Sequence, residues 1–118
     1  MKIKTLKVTL TGPLWKIHEV EIEGIEVIDK WEQNEDDSEG WIEVKDFDVS
    51  SDEILDVYIY LGAPNGTEYK LKLSGELTDN GRDYDIEFEE DYEVIRNGRL
   101  RINLSKEISE IIKPTVAP

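Results

Sequence analysis

The sequence predicts an all-β chain: an antiparallel β-sandwich of about seven to nine short strands with one short C-terminal helix, a small β-barrel being the alternative closure. Three observations lead there. Apolar residues recur at every second position along most of the chain. Turn signals built from Gly, Asn, Asp and Pro interrupt these runs at short intervals. Helical spacing of apolar residues appears only after Ser105. With 118 residues, the chain fits one domain, 1–113, followed by a flexible tail at 114–118. Apolar residues make up only 38% of the chain, but their short alternating runs are what a disordered chain lacks.

The first strand is carried by Leu6, Val8 and Leu10, alternating with Lys7 and Thr9 and ending at Gly12-Pro13. Val20 and Ile22 then fall on even positions, whereas Ile25, Val27 and Trp31 fall on odd ones. A bulge or tight turn at Gly24 restores both sets to the core. His18 shares the parity of Val20 and Ile22, so it is expected at the core margin. Residues 32–40 contain no apolar side chain and five acids, and are expected to form a mobile loop. Trp41 to Val49 is extended, with a change of phase between Val44 and Phe47.

The clearest strand runs from Ile54 to Leu61, with Leu55, Val57, Ile59 and Leu61 on one face and Asp56, Tyr58 and Tyr60 on the other; it should be central. Across Gly62-Ala63-Pro64-Asn65-Gly66 it reads as a hairpin with the strand of Tyr69, Leu71 and Leu73. Asp79-Asn80-Gly81 turns the chain into Tyr84, Ile86 and Phe88, whose partners Asp85, Glu87 and Glu89 face water. Asn97-Gly98 is a two-residue hairpin signal before Arg99. At the end, Ser105 is positioned to cap a short helix with Ile108, Ile111 and Ile112 as its apolar stripe, stopped by Pro114.

Twenty-eight acidic against fourteen basic residues leave a net charge of −14. That field repels nucleic-acid backbones and favours cationic partners, so no direct nucleic-acid binding is expected. The charge is uneven: residues 1–18 carry +4, residues 19–43 carry −10 and residues 44–118 carry −8. Residues 83–93 alone hold seven acids and no base, just before Arg96, Arg99 and Arg101. No apolar stretch is long enough to span a bilayer and none opens a signal peptide. A chain that is complete as given would therefore be cytoplasmic, with no membrane partner.

The absence of cysteine removes thiolate and disulfide chemistry, and a single histidine leaves little for a nucleophilic triad. No phosphate-cradling loop, dinucleotide fingerprint or zinc spacing is present, so neither an enzyme, a cofactor nor a metal is expected. Carboxylates near Asn34-Glu35-Asp36-Asp37 and Asp79-Asn80-Gly81-Arg82-Asp83-Tyr84-Asp85 supply oxygens of the kind calcium takes, but without the EF-hand spacing.

These features read as a non-catalytic binding or assembly module whose acidic face, Asp85, Glu87 and Glu89, meets a basic protein surface. Tyr58, Tyr60 and Trp41 are candidate aromatic anchors, joined near strand ends by Trp15 and Trp31. Tyr58 and Tyr60 are alternatively core residues, packed beneath Ile108, Ile111 and Ile112. The competing functions are an acidic mimic of nucleic-acid phosphates and a carbohydrate- or calcium-binding module.

Overall fold

Alternating burial in the computed structural model, which describes residues 1–13, 16–34, 36, 38–49 and 51–114, folds the chain into two antiparallel sheets packed face to face. The strands are β1 (Lys2–Thr11), β2 (Lys16–Ile22), β3 (Ile25–Glu26), β4 (Glu32–Asn34), β5 (Glu39–Asp48), β6 (Ile54–Gly62), β7 (Glu68–Asp79), β8 (Arg82–Glu93), β9 (Arg99–Glu107) and β10 (Ile112–Pro114). A 3₁₀ turn (Ile28–Lys30) and one helical turn, α1 (Ile108–Ile111), complete the order. One sheet runs β10-β8-β7-β1-β5-β4 and the other β3-β2-β6-β9, an open sandwich and not a closed barrel. Seven of the ten strands are substantial; β3, β4 and β10 have two or three residues each.

The core lies between the sheets. Leu6, Val8 and Leu10 of β1, Leu71, Leu73 and Leu77 of β7, and Ile42 of β5 line one wall. Leu55, Val57, Ile59 and Leu61 of β6, flanked by Val20 and Ile22 of β2 and by Ile102 and Leu104 of β9, line the other. Each such side chain contributes roughly 1.5–3 kcal/mol when fully buried, and no charged or polar residue is buried among them. β6 is central in its sheet, as its unbroken alternation predicts.

The parity flip at Gly24 is a two-residue turn, with Glu23 at φ 53° and Gly24 at φ 76°. The phase change after Val44 is real too: Lys45 and Asp46 are both exposed, with Asp46 at φ 53°, before Phe47 turns inward. Asn80 and Gly81, also left-handed, close the β7–β8 hairpin.

Several expectations need correction. Residues 32–34 are an edge strand paired with β5, because an edge exposed on both faces needs no apolar residue. Ile25 is 66% exposed and takes no part in the core. β6 and β7 lie in different sheets, so Gly62 to Gly66 is a crossing and not a hairpin loop. The two-residue Asn97-Gly98 turn forms as expected, with φ 55° and 63° and Arg96 bridged to Arg99, but the ladder stops there: Val94 donates its N–H to the Thr67 carbonyl and accepts from Gly66 N–H. Ser105 belongs to β9, where its hydroxyl donates to Asp56 Oδ1 at 2.6 Å, and Glu107 occupies the N-cap position without a side-chain cap. Ile108 and Ile111 are buried as expected, but Ile112 opens β10 against Ile86. Finally, β2 gains an extra residue between Ile17 and Glu19, which turns His18 to the outer face. Trp15, Glu35, Asp37 and the tail at 115–118 lie outside the described residues.

Candidate functional site

The tight Asn80-Gly81 turn sets the β7–β8 register, and the register decides which charges meet. Asp83, Asp85, Glu87, Glu89, Asp91 and Glu93 all project from the outer face of β8, successive members about 7 Å apart. The expected trio Asp85, Glu87 and Glu89 is therefore together, inside a longer row. On β7, Lys72 stands opposite Glu89 and Lys70 opposite Asp91, while Glu76 faces Asp85 and Glu68 faces Glu93. Like charges directly opposite each other oppose pairing. With Lys113 of β10 beside Asp85 and Lys4 of β1 at Asp83, this part of the face carries eight carboxylates against four lysines.

Two of the carboxylates are held by cations. Glu87 forms a salt bridge with Lys113, and Asp83 accepts from Lys4 Nζ and from the Thr78 hydroxyl, each at 3.1 Å. The Lys113 contact holds Glu87 below its ordinary pKa and raises that of Lys113; the hydrogen bond from Lys4 lowers Asp83. A depressed carboxyl stabilises the fold above its unfolded pKa, and that contribution fades as pH falls through the folded value. A raised lysine contributes below its unfolded pKa and loses that contribution as pH climbs through its folded one. Carboxyl titration by NMR should place Glu87 below 4.5, and Lys113→Gln should return it toward 4.5 while Asp83 stays depressed. If the Glu87 midpoint were indifferent to Lys113, the ion pair would not exist in solution.

Trp41 lies on the same outer face, across the sheet. It is half-buried, with Lys7 Nζ 5.6 Å from a ring centroid. The rung Trp41–Thr9–Lys72–Glu89 separates it from the acidic row by about 14 Å. Lys7, Lys70 and Lys72 occupy the middle, around a shallow groove of about 340 Å³ that Thr9, Ser74 and Glu89 also line. The face is thus acidic at its β8 margin and basic at its centre, where the alternation within β8 alone showed only acids.

Tyr58 and Tyr60 lie on the opposite side of the molecule, on the outer face of the four-stranded sheet. They are half-buried and do not pack under Ile108 and Ile111, which fill the core from the other side. His18 stacks on Tyr60 at 4.8 Å between ring centroids, and the Arg101 guanidinium lies 4.6 Å from the Tyr60 centroid. The bulge that exposes His18 reverses the apolar parity between Ile17, which packs on the core, and Val20 and Ile22; the alternation of Val20 and Ile22 alone hides it, so this cluster was missed in the sequence. Tyr58 borders a hollow of about 410 Å³ with Glu21, Asp56, Asn103 and Ser105. The expected anchors therefore occupy two faces and do not form one site.

Among the described residues no three His, Asp or Glu side chains lie together as metal ligands would, and the Asp79–Asp85 segment is a tight hairpin with Asp83 bound to Lys4. No helix among them is long and apolar enough to cross a membrane. The chain matches no protein family, and neither a curated protein nor a solved structure resembles it significantly.

Proposed function

We infer that the chain is a non-catalytic β-sandwich module that offers the β8 carboxylate row to a basic protein surface. The observation that carries this reading is the in-register excess of acid on β7 and β8, including the facing pairs Glu76–Asp85 and Glu68–Glu93. Stability alone would favour lysine at one member of each pair; Lys113 already stands beside Asp85, and a cationic partner would relieve Glu68–Glu93. The row sits on a rigid ladder, so binding costs little ordering entropy. Lysines interleaved at 70, 72 and 113 weaken the alternative of a phosphate mimic, which needs unneutralised carboxylates.

The test uses a lysine-rich peptide as probe, with binding read by fluorescence anisotropy at several salt concentrations. Neutralising Glu87, Glu89 and Asp91 as Gln, Gln and Asn should weaken binding about tenfold or more, since rim charges act mainly through attraction and steering. The same number of neutralisations at Glu19, Glu21 and Glu26, on the other sheet, should leave it within about twofold. Equal losses from both sets would reduce the effect to net charge and overturn a dedicated face. Displacement of duplex DNA from a DNA-binding protein by the intact chain would favour the mimic instead.

A further inference from the structure

The edge strands β3, β4 and β10 offer two or three residues each and leave part of β2, β5 and β8 uncovered beyond them. Those uncovered stretches are irregular or acidic: β2 carries the bulge at His18, β5 the left-handed Asp46, and β8 the carboxylates from Glu87 to Glu93. β9 is the longest edge strand and has no such interruption. It forms the edge of the four-stranded sheet with nine residues, without proline and without a register shift against β6. Long, regular edges present unpaired backbone groups to another strand, and proteins ordinarily interrupt them. The one inward charge on β9, Lys106, is accommodated with its Nζ 5.4 Å from the Phe88 centroid.

Which backbone groups are open follows from the ladder. Ala63 N–H donates to the Gly98 carbonyl and Ile108 N–H to the Glu53 carbonyl, at the two ends of the β6–β9 pairing. Hydrogen-bonded positions alternate in an antiparallel pair, so even-numbered residues of β9 turn their backbone to β6 and odd-numbered ones turn it outward. Arg99 N–H confirms the parity, donating outward to the Arg96 carbonyl and closing the edge there. The stretch left open is Arg101 to Glu107.

We propose that the open β9 edge pairs antiparallel with β9 of a second copy of this chain, about a two-fold axis at Leu104. In this register Arg101 stands opposite Glu107 of the second copy and Asn103 opposite its Ser105. All four are odd-numbered, so each meets its partner through outward backbone groups, giving about eight new backbone hydrogen bonds. Leu104 meets its own copy on the core side, prolonging the apolar wall. Sliding toward Arg99 is blocked by Arg96; sliding the other way loses the Arg101–Glu107 pairs. The charge pattern also selects the occupant. β9 carries Arg99, Arg101 and Lys106 against Glu107 in a chain of net charge −14, so contact through most other faces would press carboxylates together. On β9 opposite charges meet when the surface meets itself. The β8 row lies in the other sheet, so this inference stands whether or not a basic partner binds there.

Sedimentation of the full chain from low micromolar to several hundred micromolar should show a concentration-dependent species of twice the monomer mass. Asn103→Pro removes an outward N–H that β6 does not use, and should raise the dimer Kd about tenfold or more while leaving the circular dichroism spectrum unchanged. Arg101→Glu should weaken the dimer by a similar factor, and R101E/E107R, which restores opposite charges across the axis, should recover it to within about threefold. A chain monomeric at every concentration, even one that captures an acidic extended peptide along β9, overturns the proposal. So does a dimer indifferent to Asn103→Pro, or a double variant no tighter than R101E; should the proline variant not fold, the charge pair decides.

Discussion

Gly75→Ala is expected to remove about 3–5 kcal/mol of folding stability, among the largest effects of any single methyl group in this chain. Gly75 sits in β7 at φ 151°, opposite Leu6 of β1 on one side and Ile86 of β8 on the other. The register of β1 against β7 shifts between Ile3 and Thr5, and this irregularity drives the Thr5 carbonyl against the glycine. A Cβ at position 75 would overlap the Thr5 oxygen, and would lie 2.9 Å from its carbonyl carbon and 3.1 Å from Leu6 Cα. All three are backbone atoms in the middle of the six-stranded sheet, so no rotamer change makes room. Against a total stability of roughly 5–15 kcal/mol for a domain of this kind, such a loss brings unfolding close to ambient conditions. Gly24→Ala supplies the comparison: its φ is also positive, but nothing lies within 4 Å of the added atom. It should cost about 1–2 kcal/mol, the strain of a left-handed L-residue alone. Urea denaturation of both variants tests the difference, and equal midpoints would mean that β1 and β7 do not approach as closely as described.

The contrast between these glycines also marks what could be read from residue order alone. Gly24 announced itself through the parity of Val20 and Ile22 against Ile25, Val27 and Trp31, although Ile25 itself is exposed, because a buried face fixes parity and a flip requires a turn. Gly75 gave no such sign, since its role depends on a bulge in a strand some seventy residues away. The same division runs through the candidate site. The β8 row was legible from alternation, and the two-residue Asn80-Gly81 turn would also have placed Lys72 against Glu89 had the register been counted back from it. The exposure of His18 was marked by the parity break between Ile17 and Val20, which the pair Val20 and Ile22 alone hides. Two features were illegible: the crossing between β6 and β7, and the edge position of β9. Each depends on which strand is whose neighbour, and period-two alternation says which face is buried without saying who pairs with whom.

Ile59→Ala should be the second large effect, at about 2–5 kcal/mol. Ile59 is fully buried in the middle of β6, between Val20 of β2 and Ile102 of β9, all three pointing into the core. Truncation there opens a cavity where backbone on both flanks is hydrogen-bonded, so the walls have little freedom to collapse. Ile59→Val, which removes one methylene, should cost about 0.5–1.5 kcal/mol. The next residue supplies the opposite-face control. Tyr60 projects outward between His18 and Arg101, so Tyr60→Ala forfeits ring contacts worth about 1–2 kcal/mol and leaves no internal void. The ordering Ile59→Ala, then Tyr60→Ala, then Ile59→Val, read from guanidinium midpoints, would establish which side of β6 faces the second sheet. A larger loss at Tyr60 than at Ile59 would mean that the tyrosine face is the covered one. The outer surface of this sheet, and with it the side chains that flank the open β9 edge, would then be unavailable for contact. Because β9 is attached to its sheet through β6 alone, the packing around Ile59 is also what keeps that edge straight enough to pair.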